Sequence, residues 1–140
     1  MTLAPHIYAI GLSGHPDIPD LKLANPRRTV AATAAQEKQS PVVAKFLRAE
    51  NAQQNGFETL GFFAASVVAA NVAHVPTWKL NLFCGVFLGA RAAFNLIYIN
   101  VSSDRWSVLR TISYFTGVGA SCALAIEAGR YVNAALLPSL

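Results

Sequence analysis

The residues best suited to chemistry lie at the start of a long apolar run, in the stretch RAENAQQNGFE. At about 100° per residue, one helix face with an arc of about 80° would carry four polar side chains: Arg48, Asn51, Asn55 and Glu58. An ordinary solvated face explains Arg48 but explains Glu58 poorly, since mostly apolar residues follow it as far as Val75. The spacing predicts a polar stripe directed at one place.

Two further apolar runs each contain an arginine. Arg91 lies in the middle of the second run, where an unpaired guanidinium costs at least about 2.5–3.5 kcal/mol, and Glu58 is its natural carboxylate partner. Tyr98 follows Arg91 on the same helix face, and Tyr114 follows Arg110 in the third run. Arginine binds carboxylates in bidentate fashion and glutamate binds an ammonium. The pattern therefore predicts an intramembrane pocket for a ligand with carboxylates and an amine; the alternative is structural pairing between helices.

The elements that must position these residues are membrane helices. Hydrophobic residues make up 54% of the 140 residues and charged ones 13%, whereas a soluble domain has about a quarter charged. Apolar stretches of roughly the 20 residues that span a bilayer occur three times, and alternating strand patterns are absent. We predict a single all-α, integral membrane domain over 1–140, in contact with the lipid bilayer, with long helices at 41–75, 78–101 and 107–128. Ser40 and Pro41 should begin the first of these.

The N-terminal region cannot supply a complete span. Residues 1–12 would form about 18 Å of helix, so we interpret them as a shortened first helix. The Pro-, Gly- and charge-rich segment 13–40 is predicted to be a loop. Most basic residues precede the first long span, which places this loop and the polar stripe on the cytosolic side.

Other classes of function find little support. The net charge of +4 is not accompanied by a nucleic-acid motif, so no nucleic-acid partner is expected. His6, His15 and His74 are scattered and unpaired with cysteines, so no metal site is expected. Cys84 and Cys122 lie in separate apolar runs and should be buried small hydrophobic residues.

In these residues the chain resembles the MAPEG family, membrane-associated proteins in eicosanoid and glutathione metabolism. The resemblance runs from about Asn25 to Gly129. It lies in an ordered series of motifs: Arg48, Asn51-Ala-Gln53-Gln-Asn55-x-x-Glu58, Arg91-x-x-Phe94-x-x-x-Tyr98 and Arg110-Thr111-x-x-Tyr114. The segments PHIYAI and ANPR look like the fungal branch.

The resemblance implies a four-helix bundle protomer, here with a shortened first helix, assembled as a homotrimer. It implies a glutathione site between neighbouring subunits near the cytosolic side of the endoplasmic reticulum or another endomembrane. The activity implied is that of a glutathione-dependent transferase or peroxidase, with glutathione as co-substrate and a hydrophobic small molecule as the electrophile.

Site roles follow by position from the same resemblance. Residues implied to hold or line the glutathione site are Asn51, Gln53, Asn55, Glu58, Arg91, Tyr98 and Tyr114, with Gln53 reaching a neighbouring subunit. Arg110 matches the arginine proposed to stabilise the glutathione thiolate, and Thr111 beside it could add a hydroxyl donor. Asn51 stands where several catalytic members have arginine, and Phe94 where some have tyrosine or histidine.

These two departures keep other hypotheses open. Asn51 and Phe94 make the pocket less suited to an anionic ligand. The second hypothesis is therefore a glutathione-independent cyclase or isomerase of the same fold, in a small-molecule biosynthetic pathway. The third is a non-catalytic membrane scaffold, in which substitution of Glu58 or Arg110 would leave the phenotype intact.

Overall fold

The computed structural model describes residues 3–18, 26–35, 40–101 and 104–136, and every regular element in them is an α-helix. This confirms the all-α prediction. The helices are α1 (Ala4–Leu12), α2 (Pro26–Ala34), α3 (Pro41–Val72), α4 (Thr77–Asn100) and α5 (Asp104–Leu136). Helices α3, α4 and α5 each pack against the other two, while α1 and α2 pack against α3.

The helix bounds differ from the expected ones in several places. The segment 13–40, predicted to be a loop, contains α2, where Pro26 begins a short run with good helix formers such as alanine; residues 19–25 and 36–39 of that segment lie outside the described residues. Helix α5 continues beyond the predicted end at 128 to Leu136. Composition alone therefore underestimated the number of helical residues in both segments.

Both ends of α3 have a local cause. The predicted start is confirmed, since the Ser40 hydroxyl accepts from the N–H of Val43 at 3.4 Å. At the other end, His74 adopts a left-handed conformation with φ of 55°. This lets the N–H of Val75 reach the carbonyl of Ala70 at 3.0 Å, the arrangement of a Schellman motif. The helix therefore ends at Val72 rather than at the predicted Val75.

A row of small residues forms the face of α3 that packs into the core. Its buried members after Phe46 are Ala49, Ala52, Gly56, Thr59, Ser66 and Ala70. They recur at steps of three, four and seven, which suits nearly antiparallel or parallel helix packing, and their size lets helix backbones approach closely. The Ser66 hydroxyl donates to the carbonyl of Phe62 within the same helix. We call this row the small-residue seam.

Charged side chains join the helices at the two ends of the core. At one end, Nε of Arg48 on α3 donates to the carbonyl of Ile99 at 3.1 Å, near the end of α4, where carbonyls lack partners within the helix. At the opposite end, Nζ of Lys79 on α4 donates to Glu127 on α5, which also accepts from Arg130 at 3.1 Å. The start of α3 and the end of α4 therefore lie together.

Arg48→Leu should lower the stability of the protein. The substitution leaves the carbonyl of Ile99 without its donor, and loss of one partner of a buried group costs about 1–3 kcal/mol. The measurement is the melting temperature in detergent, with Arg28→Leu as the control because Arg28 is exposed on α2. Equal melting temperatures for the two variants would contradict the capping role of Arg48.

The outer surface of the bundle is apolar. Helix α4 and residues Trp106–Leu136 of α5 are long and apolar enough to cross a membrane, with mean hydropathies of 1.7 and 1.2. Only 28% and 22% of their most apolar windows are buried within the chain, and large side chains such as Leu88 and Phe115 are exposed. Cys122, expected to be buried, is also exposed, because it lies on this outer surface of α5; Cys84 is half-buried.

Candidate functional site

Two arginines and three aromatic residues lie together where α4 packs against α5. The group consists of Arg91, Phe94, Tyr98, Arg110 and Tyr114, and we call it the arginine–aromatic cluster. The Phe94 ring is at its centre, with centroid distances of 5.3 Å to Tyr98 and 6.0 Å to Tyr114. Each guanidinium lies over a ring, with Cζ of Arg91 4.6 Å from the centroid of Phe94 and Cζ of Arg110 4.7 Å from that of Tyr98. Both distances are within the range of a cation–π contact.

Arg91 is the most unusual member of the cluster. Its side chain is 4% exposed, yet neither Nη1 nor Nη2 has a hydrogen-bond partner among the described residues. A guanidinium carries five N–H donors, and leaving such donors unpaired in an apolar environment is costly. Arg91 borders a cavity of about 100 Å³ that is lined mainly by apolar residues of α3 and α4, including Leu60 and Leu88. The terminal nitrogens of Arg91 are therefore buried donors without acceptors in a residue that borders a cavity.

Packing fixes the stem of Arg91. A Cβ built on Gly117 of α5 would lie 3.6 Å from Cδ of Arg91 and 3.7 Å from Cδ2 of Phe87, so the backbone of α5 passes close to both side chains. On the α3 side, the ring of Phe63 stacks on Phe87 with 3.8 Å between centroids. Both phenylalanines also line the cavity. Packing therefore restrains the aliphatic part of Arg91 beside the cavity.

The predicted pairing of Glu58 with Arg91 is not formed within the chain. Glu58 is exposed, and no ion pair within 4.0 Å joins it to Arg91 in the described residues; the two charges interact only at longer range. The seam explains the direction of Glu58, because the next residue, Thr59, faces the core and successive side chains differ by about 100°.

The same argument applies to the whole polar stripe of α3. Asn51 and Asn55 precede the buried Ala52 and Gly56, so the stripe follows the edge of the seam and does not face the arginine–aromatic cluster. Asn51 is exposed and Gln53 and Asn55 are half-buried. Nδ2 of Asn55 donates to the carbonyl of Asn51 at 2.9 Å within α3. These amides lie beside the core helices and are open to a second molecule.

The other predicted residues divide between two environments. The structure brings Arg91, Tyr98, Arg110 and Tyr114 together in the cluster. It leaves Asn51, Gln53, Asn55, Glu58 and Thr111 outside it. Thr111 is exposed on α5, and its hydroxyl donates to the carbonyl of Ser107 at 3.5 Å, a long contact.

Phe94 is the residue whose importance the sequence did not reveal. In the sequence, Phe94 indicates only the loss of a polar group from the pocket wall. In the structure it is 3% exposed and contacts Arg91, Tyr98 and Tyr114. The signal available was its spacing, since Phe94 follows Arg91 by three residues and precedes Tyr98 by four, which places all three on one helix face.

Glu58→Gln should change the stability of the protein by no more than about 0.5 kcal/mol, as for other exposed positions without a partner. Glu127→Gln is the matched control, because Glu127 accepts from both Lys79 and Arg130. We expect this control alone to lower the melting temperature in detergent. A decrease of the same size for Glu58→Gln would show that Glu58 pairs with a charge supplied by another chain or by another arrangement of this one.

Comparison with known proteins gives one result. The sequence profile of the MAPEG family matches residues 7–130, a range that includes the arginine–aromatic cluster and the polar stripe of α3. No curated protein and no solved structure shows a significant match.

Proposed function

Because the chain belongs to the MAPEG family, we propose that it is a membrane-bound, glutathione-dependent transferase or peroxidase that acts on a hydrophobic electrophile. Membership makes it a membrane protein of a glutathione-related family of transferases and isomerases. The apolar outer surface and the two helices long enough to span a bilayer agree with this environment.

The observation that carries the proposal is the buried guanidinium of Arg91 beside a cavity. Its two terminal nitrogens have no partner among the described residues, and a carboxylate would supply two acceptors in matching geometry. The cavity of about 100 Å³ has room for roughly three water molecules. It therefore admits a carboxylate group, such as either end of glutathione, but not the whole tripeptide.

The rest of glutathione must bind outside this cavity. The amides of Asn51, Gln53 and Asn55 and the carboxylate of Glu58 lie on the open side of α3, where they would face a neighbouring subunit in a homotrimer. Glu58 would then bind the ammonium group of glutathione, as carboxylates do. Tyr98 and Tyr114 would line the part of the site on α4 and α5.

Arg110 is proposed to stabilise the glutathione thiolate. A free thiol has a pKa of about 8.5, and a nearby guanidinium lowers it, which increases the reactive thiolate fraction at neutral pH. The thiolate sulfur bonds to the electrophilic carbon as the leaving group departs. With a hydroperoxide it attacks the terminal oxygen, the O–O bond breaks to release the alcohol, and a second glutathione converts the sulfenic acid to the disulfide and water. No side chain of the protein acts as nucleophile. Thr111 remains a second donor in this proposal, since its hydroxyl is exposed beside Arg110.

The test is direct binding of glutathione. Protein purified in detergent should bind glutathione in isothermal titration calorimetry, conjugate 1-chloro-2,4-dinitrobenzene or reduce cumene hydroperoxide, and behave as a trimer in light scattering. A folded protein that binds no glutathione and shows neither activity would refute the proposal.

One observation favours a second function. The ring of Phe94 lies at the centre of the cluster, where it presents no hydroxyl or imidazole to a ligand. An apolar wall at this place suits a glutathione-independent cyclase or isomerase that holds a hydrophobic metabolite. A deletion strain that accumulates an uncyclised or unisomerised precursor, together with a purified protein that converts it without glutathione, would support this function over the first.

A further inference from the structure

We propose that Tyr98 is a positioning residue, which holds the guanidinium of Arg110 by the face of its ring. Cζ of Arg110 lies 4.7 Å from the ring centroid of Tyr98, inside the limit of about 6 Å for a cation–π contact. The consequence for catalysis rests on the proposed function, because Arg110 is there the group that stabilises the thiolate.

The ring contact is what fixes Arg110. Its side chain is half-buried, and it takes part in no hydrogen bond or ion pair among the described residues. A long flexible side chain without such bonds would sample several rotamers, each of which places the charge elsewhere. Arginine combines a delocalised charge with a planar group, so it stacks well on an aromatic face.

Tyr98 can act as a fixed platform because it is itself held in the core. Its ring packs against the buried residues around Phe46 and Ile99. It also packs against Phe94, with 5.3 Å between ring centroids and 43° between ring planes. Helix α4 thus carries the platform, and α5 carries the arginine that lies on it.

The same type of arginine–ring contact occurs twice in the cluster. Arg91 lies over Phe94 as Arg110 lies over Tyr98, and the two rings are in contact. Arg91 is buried, so the residues packed around it also restrain its side chain, whereas Arg110 is only half-buried. Loss of the ring should therefore matter more for Arg110 than for Arg91.

The experiment compares two substitutions of Tyr98. Tyr98→Phe keeps the ring face, and Tyr98→Leu removes it while keeping an apolar side chain. For conjugation of 1-chloro-2,4-dinitrobenzene we expect Tyr98→Leu to lower kcat by about threefold to thirtyfold. We also expect it to move the pH profile towards higher pH, with little change in KM for glutathione. Tyr98→Phe should keep the wild-type pH profile, because the ring face remains, and its kcat should exceed that of Tyr98→Leu.

A second measurement needs no glutathione. Phenylglyoxal modifies exposed arginines, and mass spectrometry can follow its rate at Arg110, with Arg130 as an internal reference because its side chain is 74% exposed. Relative to Arg130, Arg110 should react faster in Tyr98→Leu than in the wild type and at the wild-type rate in Tyr98→Phe. If Tyr98→Leu does not fold, Tyr98→Met replaces it.

The two measurements separate the two proposals. An unchanged labelling rate of Arg110 in the variant without the ring would overturn the positioning role, whatever the activity. Faster labelling in a protein that does not use glutathione would support the positioning role and reject the proposed function. A lower melting temperature of Tyr98→Leu with wild-type labelling and pH profile would show a structural role alone.

Discussion

Arg91→Leu should make the protein more stable and abolish its binding of glutathione. In the wild type, a guanidinium that is 4% exposed has neither Nη atom hydrogen-bonded among the described residues. Its burial costs at least about 2.5–3.5 kcal/mol on the most lenient membrane scale, whereas leucine fills a similar space without a charge. Replacement of buried charges by apolar residues is often neutral or stabilising. We therefore expect a higher melting temperature in detergent and no heat of glutathione binding in calorimetry.

Arg91→Lys is the matched control for this experiment. Lysine keeps the positive charge but loses the planar fork that binds a carboxylate in bidentate fashion, so we expect weak binding and no gain in stability. A residue that is costly to the fold and necessary for the ligand is typical of a binding site. If Arg91→Leu instead unfolded the protein, Arg91 would be part of a structural ion pair, and the cavity beside it would lose its assigned role.

The sequence predicted the long helices well because they depend on local properties. Each of the long apolar runs became a helix, and the hydroxyl of Ser40 caps α3 as expected. The end of α3 was missed because it depends on a left-handed histidine, His74, a conformation that few residues other than glycine adopt. Helix α2 was missed because its proline and arginines suggested a loop, although its alanines favour a helix.

The candidate site was predictable on α4 and α5 and not on α3. On α4, one helix face carries Arg91 and Tyr98 by spacing alone, and the structure places Arg110 of α5 on that face. On α3, the arc of the polar stripe agrees with the helix, but Glu58 does not form the expected ion pair with Arg91. Direction depends on which face packs, and on α3 the small residues such as Ala52 and Gly56 decide this.

Contacts between residues far apart in the chain could not be predicted from the sequence pattern. Arg48 was counted with the stripe, yet its side chain caps α4 at Ile99. Lys79 and Glu127 pair across the opposite end of the bundle over 48 positions of sequence, and no periodicity of either helix reveals that contact. Such pairs follow from the packing of the helices, and packing is known only once the faces and bounds are fixed.

Arg110→Ala should reduce glutathione conjugation by about 100-fold to 1,000-fold at neutral pH, as does loss of a single group that stabilises developing negative charge in other enzymes. The decrease should be in kcat, with a small effect on KM for glutathione, because Arg91 is still present to bind a carboxylate of glutathione. Arg130→Ala is the control, since Arg130 lies on the same helix at the opposite end of the core and pairs only with Glu127 among the described residues. It should conjugate at the wild-type rate.

The pH dependence distinguishes thiolate stabilisation from a general loss of structure. In the proposed mechanism, the guanidinium of Arg110 lowers the pKa of the glutathione thiol, so we expect abundant thiolate in the wild type at pH 7. Without Arg110 the thiol pKa returns to about 8.5, so only about 3% of the thiol is ionised at pH 7. Activity should then rise about twentyfold to thirtyfold between about pH 7 and 9, and the deficit should shrink by that factor. A deficit of constant size over this pH range would mean that Arg110 acts on another step. Wild-type kcat in Arg110→Ala would remove Arg110 from catalysis.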